Sequence, residues 1–250
     1  MKFKILDILL FALLFVFVNA FPVDLFPLAI TEQLIVRLCL RFVLLLYYIY
    51  LLWRYRINLF KFANYRRGML FIPFVIICFS NLIAAAIAGS DFYVSVNPLL
   101  LSLTIVYHLF GVIIEELLFR FFIQNSLVFA SSVKRILASA GIFALFHLIN
   151  IVNVSSVDAL VDVLTQVVYA FGLGLLLGLI YEYTYSIPLC VTFHFIFNFT
   201  NLILVHDIFH LVIPALVYYL TAVVCGLVVG VYAFAIYFFI LRRNDRYFRE

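Results

Sequence analysis

Residues 98–123 read PLLLSLTIVYHLFGVIIEELLFRFFI. The stretch is long enough to cross the hydrocarbon core of a bilayer as one helix, which takes roughly 20 apolar residues. Its second half nevertheless carries three ionisable side chains, Glu115, Glu116 and Arg120. Because ionisable groups inside a membrane are costly unless they are paired or hydrated, the stretch predicts both a membrane span and a polar site within it.

The composition of the whole chain is that of a membrane protein. Of the 250 residues, 68% are hydrophobic and 11% are charged, whereas soluble domains average about 45–50% and about 25%. These values exclude an ordinary soluble globular protein and a disordered chain. The 16 basic residues form short clusters between apolar runs, a pattern that predicts no nucleic-acid partner. The four cysteines lie inside apolar runs without a C-x-x-C motif, so we interpret them as buried apolar residues.

Eight stretches are apolar and long enough to be membrane spans. They are about 5–21, 33–53, 69–88, 98–123, 136–153, 163–183, 187–205 and 211–241. The first stretch also has the features of a signal peptide, but the number of spans that follow favours an uncleaved span. We therefore predict an all-α, polytopic membrane bundle of about eight transmembrane helices, a single integral membrane domain over 1–250, located in the cell membrane.

The basic residues predict the orientation of this bundle. With eight spans and a cytoplasmic start, the inner segments hold all 16 basic residues except Arg37, Arg41 and Arg120, which lie within spans. The outer segments contain no lysine or arginine, as the positive-inside rule requires, so we predict that both termini are cytoplasmic. Arg37 and Arg41 lie one helical turn apart and should face protein or a headgroup layer.

Two later spans also present polar side chains at helical spacing. They lie in FALFHLIN (143–150) and HFIFN (194–198). The candidates that they contribute are Phe143, His147, Asn150, His194 and Asn198. With the carboxylates of the first motif they predict one polar pocket, and His108, two helical turns before Glu115, is a further candidate for its lining.

The spacing separates the two glutamates. Glu116 and Arg120 are four apart in the favoured acid-then-base order, which predicts a structural clamp. Glu115 points about 100° away and is left for another role, such as that of a general base. The chain has no H-E-x-x-H and no G-x-S-x-G motif. A glutamate, two histidines and an asparagine suit the activation of water beside an oxyanion hole, and a glutamate with two histidines would also suit a zinc ion.

Three motifs, EELLFR (115–120), FALFH (143–147) and HFIFN (194–198), occur in this order on successive spans. The chain thereby resembles the CPBP family, the CAAX proteases and bacteriocin-processing enzymes, also called type II CAAX prenyl endopeptidases or Abi proteins. The family patterns E-E-x-x-x-R, F-x-x-x-H and H-x-x-x-N are matched without a substitution. The resemblance covers about residues 98–203, which would be the catalytic core, with 1–97 as variable N-terminal spans. It implies an eight-helix intramembrane bundle.

The resemblance also implies a role for each motif residue. Glu115 with His147 would activate the attacking water, and His194 with Asn198 would form the oxyanion hole. The other two charged residues of the first motif would be structural or would orient the site. The family, once thought metal-dependent, is described as glutamate proteases. We expect no cofactor and no metal, with a metalloprotease-like zinc ion bound by Glu and His as the alternative.

The function that follows is that of an intramembrane endopeptidase acting on a membrane-associated peptide or protein, as a monomer in the bilayer. Its role would be bacteriocin self-immunity, peptide maturation or CAAX-type processing. One alternative is a non-catalytic immunity or regulatory protein that binds a bacteriocin target or a membrane kinase. Another is an ion-coupled transporter, which the lack of an inverted repeat disfavours. Because Glu115 lies well along a span that runs inwards, we expect its cavity to open to the cytoplasm and the outer face to be sealed.

Overall fold

The computed structural model describes residues 5–59, 64–127 and 131–241. In these three ranges every regular element is helical and no strand occurs. Some of the basic residues on which the predicted orientation depends lie outside the described residues, namely Lys2, Lys4, Lys61, Arg242, Arg243, Arg246 and Arg249.

The described helices follow one another along the chain with short connections. They are α1 (Ile5–Ala20), α2 (Ile30–Arg54), α3 (Tyr65–Gly68), α4 (Phe74–Ile77), α5 (Ser80–Ile87), α6 (Pro98–Glu116), α7 (Ser132–Phe146), α8 (Val157–Thr184), α9 (Ile187–Asn198) and α10 (Ala215–Ala235). Helices α6, α7, α9 and α10 continue beyond these bounds in other helical geometries. Among the described residues, six helices are long and apolar enough to cross a membrane: α2 and α6 to α10. The prediction of an all-α, multi-pass membrane protein is confirmed.

Two of the eight predicted spans are not among these six. The first, predicted over about 5–21, is α1, an apolar helix of 16 residues. The third, predicted as one helix over 69–88, consists of short helices, with Pro73 between them, which has no backbone N–H to continue a helix. This segment still runs the length of the bundle, because the N–H of Asn64 bonds to the carbonyl of Thr184 and that of Tyr93 to the carbonyl of Phe209. The count of eight crossings stays a prediction.

Local signals fix where the site-bearing helices begin. The side chain of Asn97 accepts hydrogen bonds of 3.1 Å from the N–H groups of both Leu99 and Leu100, and Pro98 occupies the first turn of α6. Tyr185 adopts a left-handed φ of 50° that ends α8. Ser186 then caps α9 by accepting a 3.2 Å bond from the N–H of Leu189. Helix α9 therefore returns directly alongside α8.

Helix α8 lies at the centre of the bundle, packed against α7, α9 and α10. Gly172 and Gly226 bring α8 and α10 together, since a Cβ on Gly172 would collide with the backbone of Gly226. The outer surface of the bundle is apolar, with Val43, Leu227 and Val231 largely exposed. Such a surface suits contact with lipid.

The two ends of the bundle differ in charge. At one end Arg67 donates to the carbonyl of Tyr183 at 3.2 Å and Arg135 forms an ion pair with Glu182. Arg54 closes α2 at the same end, which we call the basic end. The opposite end consists of the connecting segments 21–29, 89–97, 154–156 and 209–214, none of which contains a lysine or arginine.

Candidate active site

The three motifs lie where their helices change hydrogen-bonding geometry. After Glu116, α6 continues as a π-helix over Leu117–Gln124, and after Asn198, α9 continues as a π-helix over Phe199–Ile208. Helix α7 gives way to a 3₁₀-helix that starts at His147. Irregular helical turns of this kind are frequent at functional sites, where they re-aim side chains.

Glu116 and Arg120 form a fully buried ion pair. The Nε atom of Arg120 donates to Oε2 of Glu116 at 3.0 Å, and both side chains are 0% exposed. Nη1 of Arg120 donates to Oγ of Ser139 at 3.1 Å, and Ser139 donates in turn to the carbonyl of Phe119 at 2.9 Å. The guanidinium also lies 5.0 Å from the ring centroid of Phe143. The pair therefore ties the end of α6 to α7.

His194 lies between this ion pair and the other glutamate of the motif, Glu115. Its Nδ1 atom lies 2.8 Å from Oε1 of Glu116, and its Nε2 atom lies 3.8 Å from Oε2 of Glu115. A carboxylate paired with Arg120 can only accept, so Nδ1 of His194 carries a proton and donates it. This bond fixes the ring with Nε2 toward Glu115, whose side chain is 18% exposed.

His147 is held by its own helix. Its Nδ1 atom lies 2.9 Å from the carbonyl oxygen of Phe143, an acceptor, so Nδ1 is the donor and Nε2 is left for the cavity. The ring of Phe143 meets the rings of His147 and His194 edge-on, at centroid distances of 4.9 and 5.8 Å. Phe143 is therefore the spacer between the two imidazoles.

The structure brings these groups together around one polar cavity of about 260 Å³. Every catalytic and pocket-lining candidate from the sequence lines it, namely His108, Glu115, Phe143, His147, Asn150, His194 and Asn198. Their availability differs. Asn150 donates to Oε1 of Gln166 at 2.8 Å. The structure, over the residues it describes, shows no hydrogen-bond partner for the Asn198 side chain, which leaves this carboxamide for a ligand.

The cavity is also lined by polar side chains that the motifs did not indicate. They are Asn19, Arg37, Arg41, Tyr107, Gln166 and Tyr169. The sequence did single out Arg37 and Arg41, because their spacing placed both on one face of a membrane span. The other four side chains reach the site because of the way α1, α6 and α8 pack together. The sequence of a single span does not indicate this packing.

The cavity extends from Glu115 away from the basic end. Tyr107 and Gly111 precede Glu115 on α6, and Gln166 lies near the start of α8, toward the connecting segments of the opposite end. On the other side of Glu115, Leu118 and Phe122 are completely buried and fill the bundle. The expectation of a cavity toward the basic, predicted cytoplasmic end is therefore wrong. That half of the bundle is filled by apolar side chains and by the buried pair of Glu116 and Arg120, whereas the polar groups that line the cavity lie mostly in the other half.

The hydrogen bonds of the two histidines limit which of their nitrogen atoms could bind a metal ion. Nδ1 of His194 and Nδ1 of His147 are bonded to Glu116 and to the carbonyl of Phe143. Within the part of the chain that the structure describes, no three His, Cys, Asp or Glu side chains form a group that could hold a metal ion.

Residues 97–200 match the family model described as Type II CAAX prenyl endopeptidase Rce1-like. Searches of curated proteins and of solved structures gave no match. The matched range runs from the cap of α6 to just beyond α9 and contains all three motifs. This segment of the chain is therefore similar to the Rce1-like type II CAAX prenyl endopeptidases, a protease family.

Proposed function

We propose that the protein is an intramembrane endopeptidase that hydrolyses a peptide bond of a membrane-associated peptide or protein. The observation that carries this proposal is the grouping of Glu115, His147, His194 and Asn198 around one polar cavity inside an apolar bundle. Ionisable groups are rare within membrane spans, and where they line a cavity they usually mark a functional site. The family match supports the reaction class.

In the proposed mechanism Glu115 is the general base. Its carboxylate takes a proton from a water molecule that is also held by Nε2 of His147, and the water oxygen attacks the substrate carbonyl carbon. The carbonyl oxygen becomes an oxyanion, to which Asn198 donates from its amide. The C–N bond then breaks, and Glu115 passes the proton to the leaving amine. Only protein groups and water take part in these steps.

His194 is the second donor to the oxyanion in this proposal. It can donate from Nε2 only as the imidazolium, because its Nδ1 proton is already given to Glu116. Glu116 with Arg120 then acts as the support that sets the orientation of the ring, in the way that a carboxylate orients the histidine of a catalytic triad.

We further propose that the chain crosses the cell membrane eight times with both termini in the cytoplasm, as a monomer. The charge difference between the two ends of the bundle supports this orientation. It directs the cavity to the outer face, so the substrate enters from the outer side or from the outer leaflet. A role in peptide maturation or in bacteriocin self-immunity agrees with such a substrate.

The test is hydrolysis of membrane-anchored peptides by the detergent-purified protein, followed by mass spectrometry, with wild type beside Glu115→Gln. We expect wild type to release fragments and Glu115→Gln to release none, although both variants are folded. A biological effect of the chain, such as bacteriocin immunity, that persists in the Glu115→Gln variant would favour the non-catalytic alternative.

A further inference from the structure

Arg41 lies in the wall of the active-site cavity although it belongs to α2, outside the motif-bearing helices. Its Nη1 atom donates to the carbonyl of Tyr107 at 2.7 Å, and its guanidinium carbon lies 3.6 Å from the centroid of the Tyr107 ring. Its Nη2 atom donates to Oδ1 of Asn19 at 3.3 Å. These contacts fix the guanidinium against α6.

The spacing of residues along α6 gives the position of the Arg41 guanidinium relative to Glu115. Tyr107, Gly111 and Glu115 are spaced four apart and lie in one row along the helix. A Cβ at Gly111 would collide with Nη1 of Arg41, so the guanidinium occupies the space that this glycine leaves. It therefore lies one helical turn before Glu115, which is about 6 Å along the axis.

Over the residues that the structure describes, Arg41 contacts a backbone carbonyl, an amide oxygen and an aromatic ring, none of which is an anion. The two hydrogen bonds use two of the five N–H donors of a guanidinium. Among the described side chains that line the cavity, Glu115 is the one carboxylate, and it is the proposed base. An arginine in a membrane span is costly, so a charge held open to a cavity in this way indicates a function.

We propose that Arg41 binds a carboxylate of the substrate and thereby selects which peptides are cut. An extended chain advances about 3.3–3.6 Å per residue, so the carboxylate lies about two residues from the bond that reaches Glu115. It belongs to the C-terminus of the peptide or to an aspartate or glutamate side chain. Arginine suits this role because its donors match a carboxylate in a bidentate pair.

This inference rests on the proposed endopeptidase function, but binding tests it separately from catalysis. The probes are pools of N-acylated decapeptides with randomised, uncharged central residues. One pool has a free C-terminal carboxylate, a second is C-terminally amidated, and a third is amidated with one aspartate at varied positions. Binding is measured with the Glu115→Gln protein in detergent, and cleavage with wild type.

We expect the carboxylate-bearing pools to bind about 10- to 100-fold more tightly than the neutral amide pool, the range typical of charge-assisted hydrogen bonds. Preference for the first pool identifies the C-terminus as the source of the carboxylate, and preference for the third identifies a side chain. Arg41→Gln should reduce the ratio of affinities for the carboxylate-bearing and neutral pools to about one. Arg41→Lys should keep part of this preference because the charge remains.

Gly111→Ala provides a second variant, since it displaces the guanidinium and leaves its charge in the protein. It should also reduce the preference for carboxylates. Equal binding of all pools by the Glu115→Gln protein would overturn the role of Arg41. So would an Arg41→Gln variant that loses affinity equally for charged and neutral pools, as expected if Arg41 only joins the helices. Selective binding without cleavage by wild type would instead refute the proposed endopeptidase and keep the anion site.

Discussion

The Nδ1 atom of His194 lies 2.8 Å from Oε1 of Glu116, one residue away from the glutamate that faces the cavity. Two adjacent carboxylates of α6 thus have different surroundings. Glu116 is completely buried between Arg120 and His194. Glu115 borders the cavity, 3.8 Å from Nε2 of the same histidine. Replacing each glutamate with glutamine should therefore affect different properties of the protein.

Glu116→Gln should lower the stability of the protein strongly. It leaves Arg120 buried without its counter-charge, and breaking one partner of a buried ion pair costs about 3–5 kcal/mol. Thermal unfolding in detergent measures the effect, and Glu115→Gln is the matched control because it makes the same chemical change at a partly exposed carboxylate. Equal unfolding midpoints for the two variants would contradict the different roles of the glutamates.

Asn198→Ala should lower kcat by about 100- to 1000-fold with little change in KM, as for loss of an oxyanion donor. Its carboxamide has no hydrogen-bond partner among the residues that the structure describes, so its removal leaves none of them without a hydrogen bond. Asn150→Ala is the matched control, since Asn150 lines the same cavity but donates to Gln166. We expect a much smaller loss of kcat there. A raised KM with normal kcat for Asn198→Ala would make Asn198 a substrate-positioning group.

The sequence predicted the helical class, the membrane environment and the difference between Glu115 and Glu116, because these depend on composition and on spacing within one helix. It did not predict the bond between His194 and Glu116, which joins residues far apart in the chain. The end of the bundle toward which the cavity extends was predicted wrongly. The position of Glu115 along its span does not indicate which half of the bundle is closely packed. The packing depends on the buried side chains of Leu118 and Phe122 and on their neighbours from other helices.

Glu182→Ala should destabilise the basic end without slowing catalysis. Glu182 pairs with Arg135 and accepts a 3.2 Å bond from Nε2 of Gln124, a nearly fully buried side chain. Loss of this acceptor should cost about 1–3 kcal/mol. Unfolding in detergent and kcat are the two measurements. Lys134→Gln, which removes a charge at an exposed neighbouring position, is the control and should unfold like wild type. A loss of kcat in Glu182→Ala at normal stability would show that the basic end takes part in catalysis.

The last prediction concerns the side of the membrane from which the cavity is reached. Leu202 lines the cavity on the part of α9 beyond Asn198, toward the end of the bundle without basic residues. If the basic end is cytoplasmic, a cysteine at Leu202 should react with a membrane-impermeant thiol reagent added to intact cells.

The experiment uses a background in which Cys39, Cys78, Cys190 and Cys225 are replaced. Ser155→Cys, in the exposed connection before α8, is the outer reference. Ser131→Cys, exposed at the start of α7 beside the basic end, is the inner reference and should react only after the cells are opened. Because the cavity is continuous from Leu202 to Glu115, the same reagent should also block peptide cleavage by the Leu202→Cys variant. Labelling of Ser131→Cys but not Ser155→Cys in intact cells would invert the proposed topology and place the substrate on the cytoplasmic side.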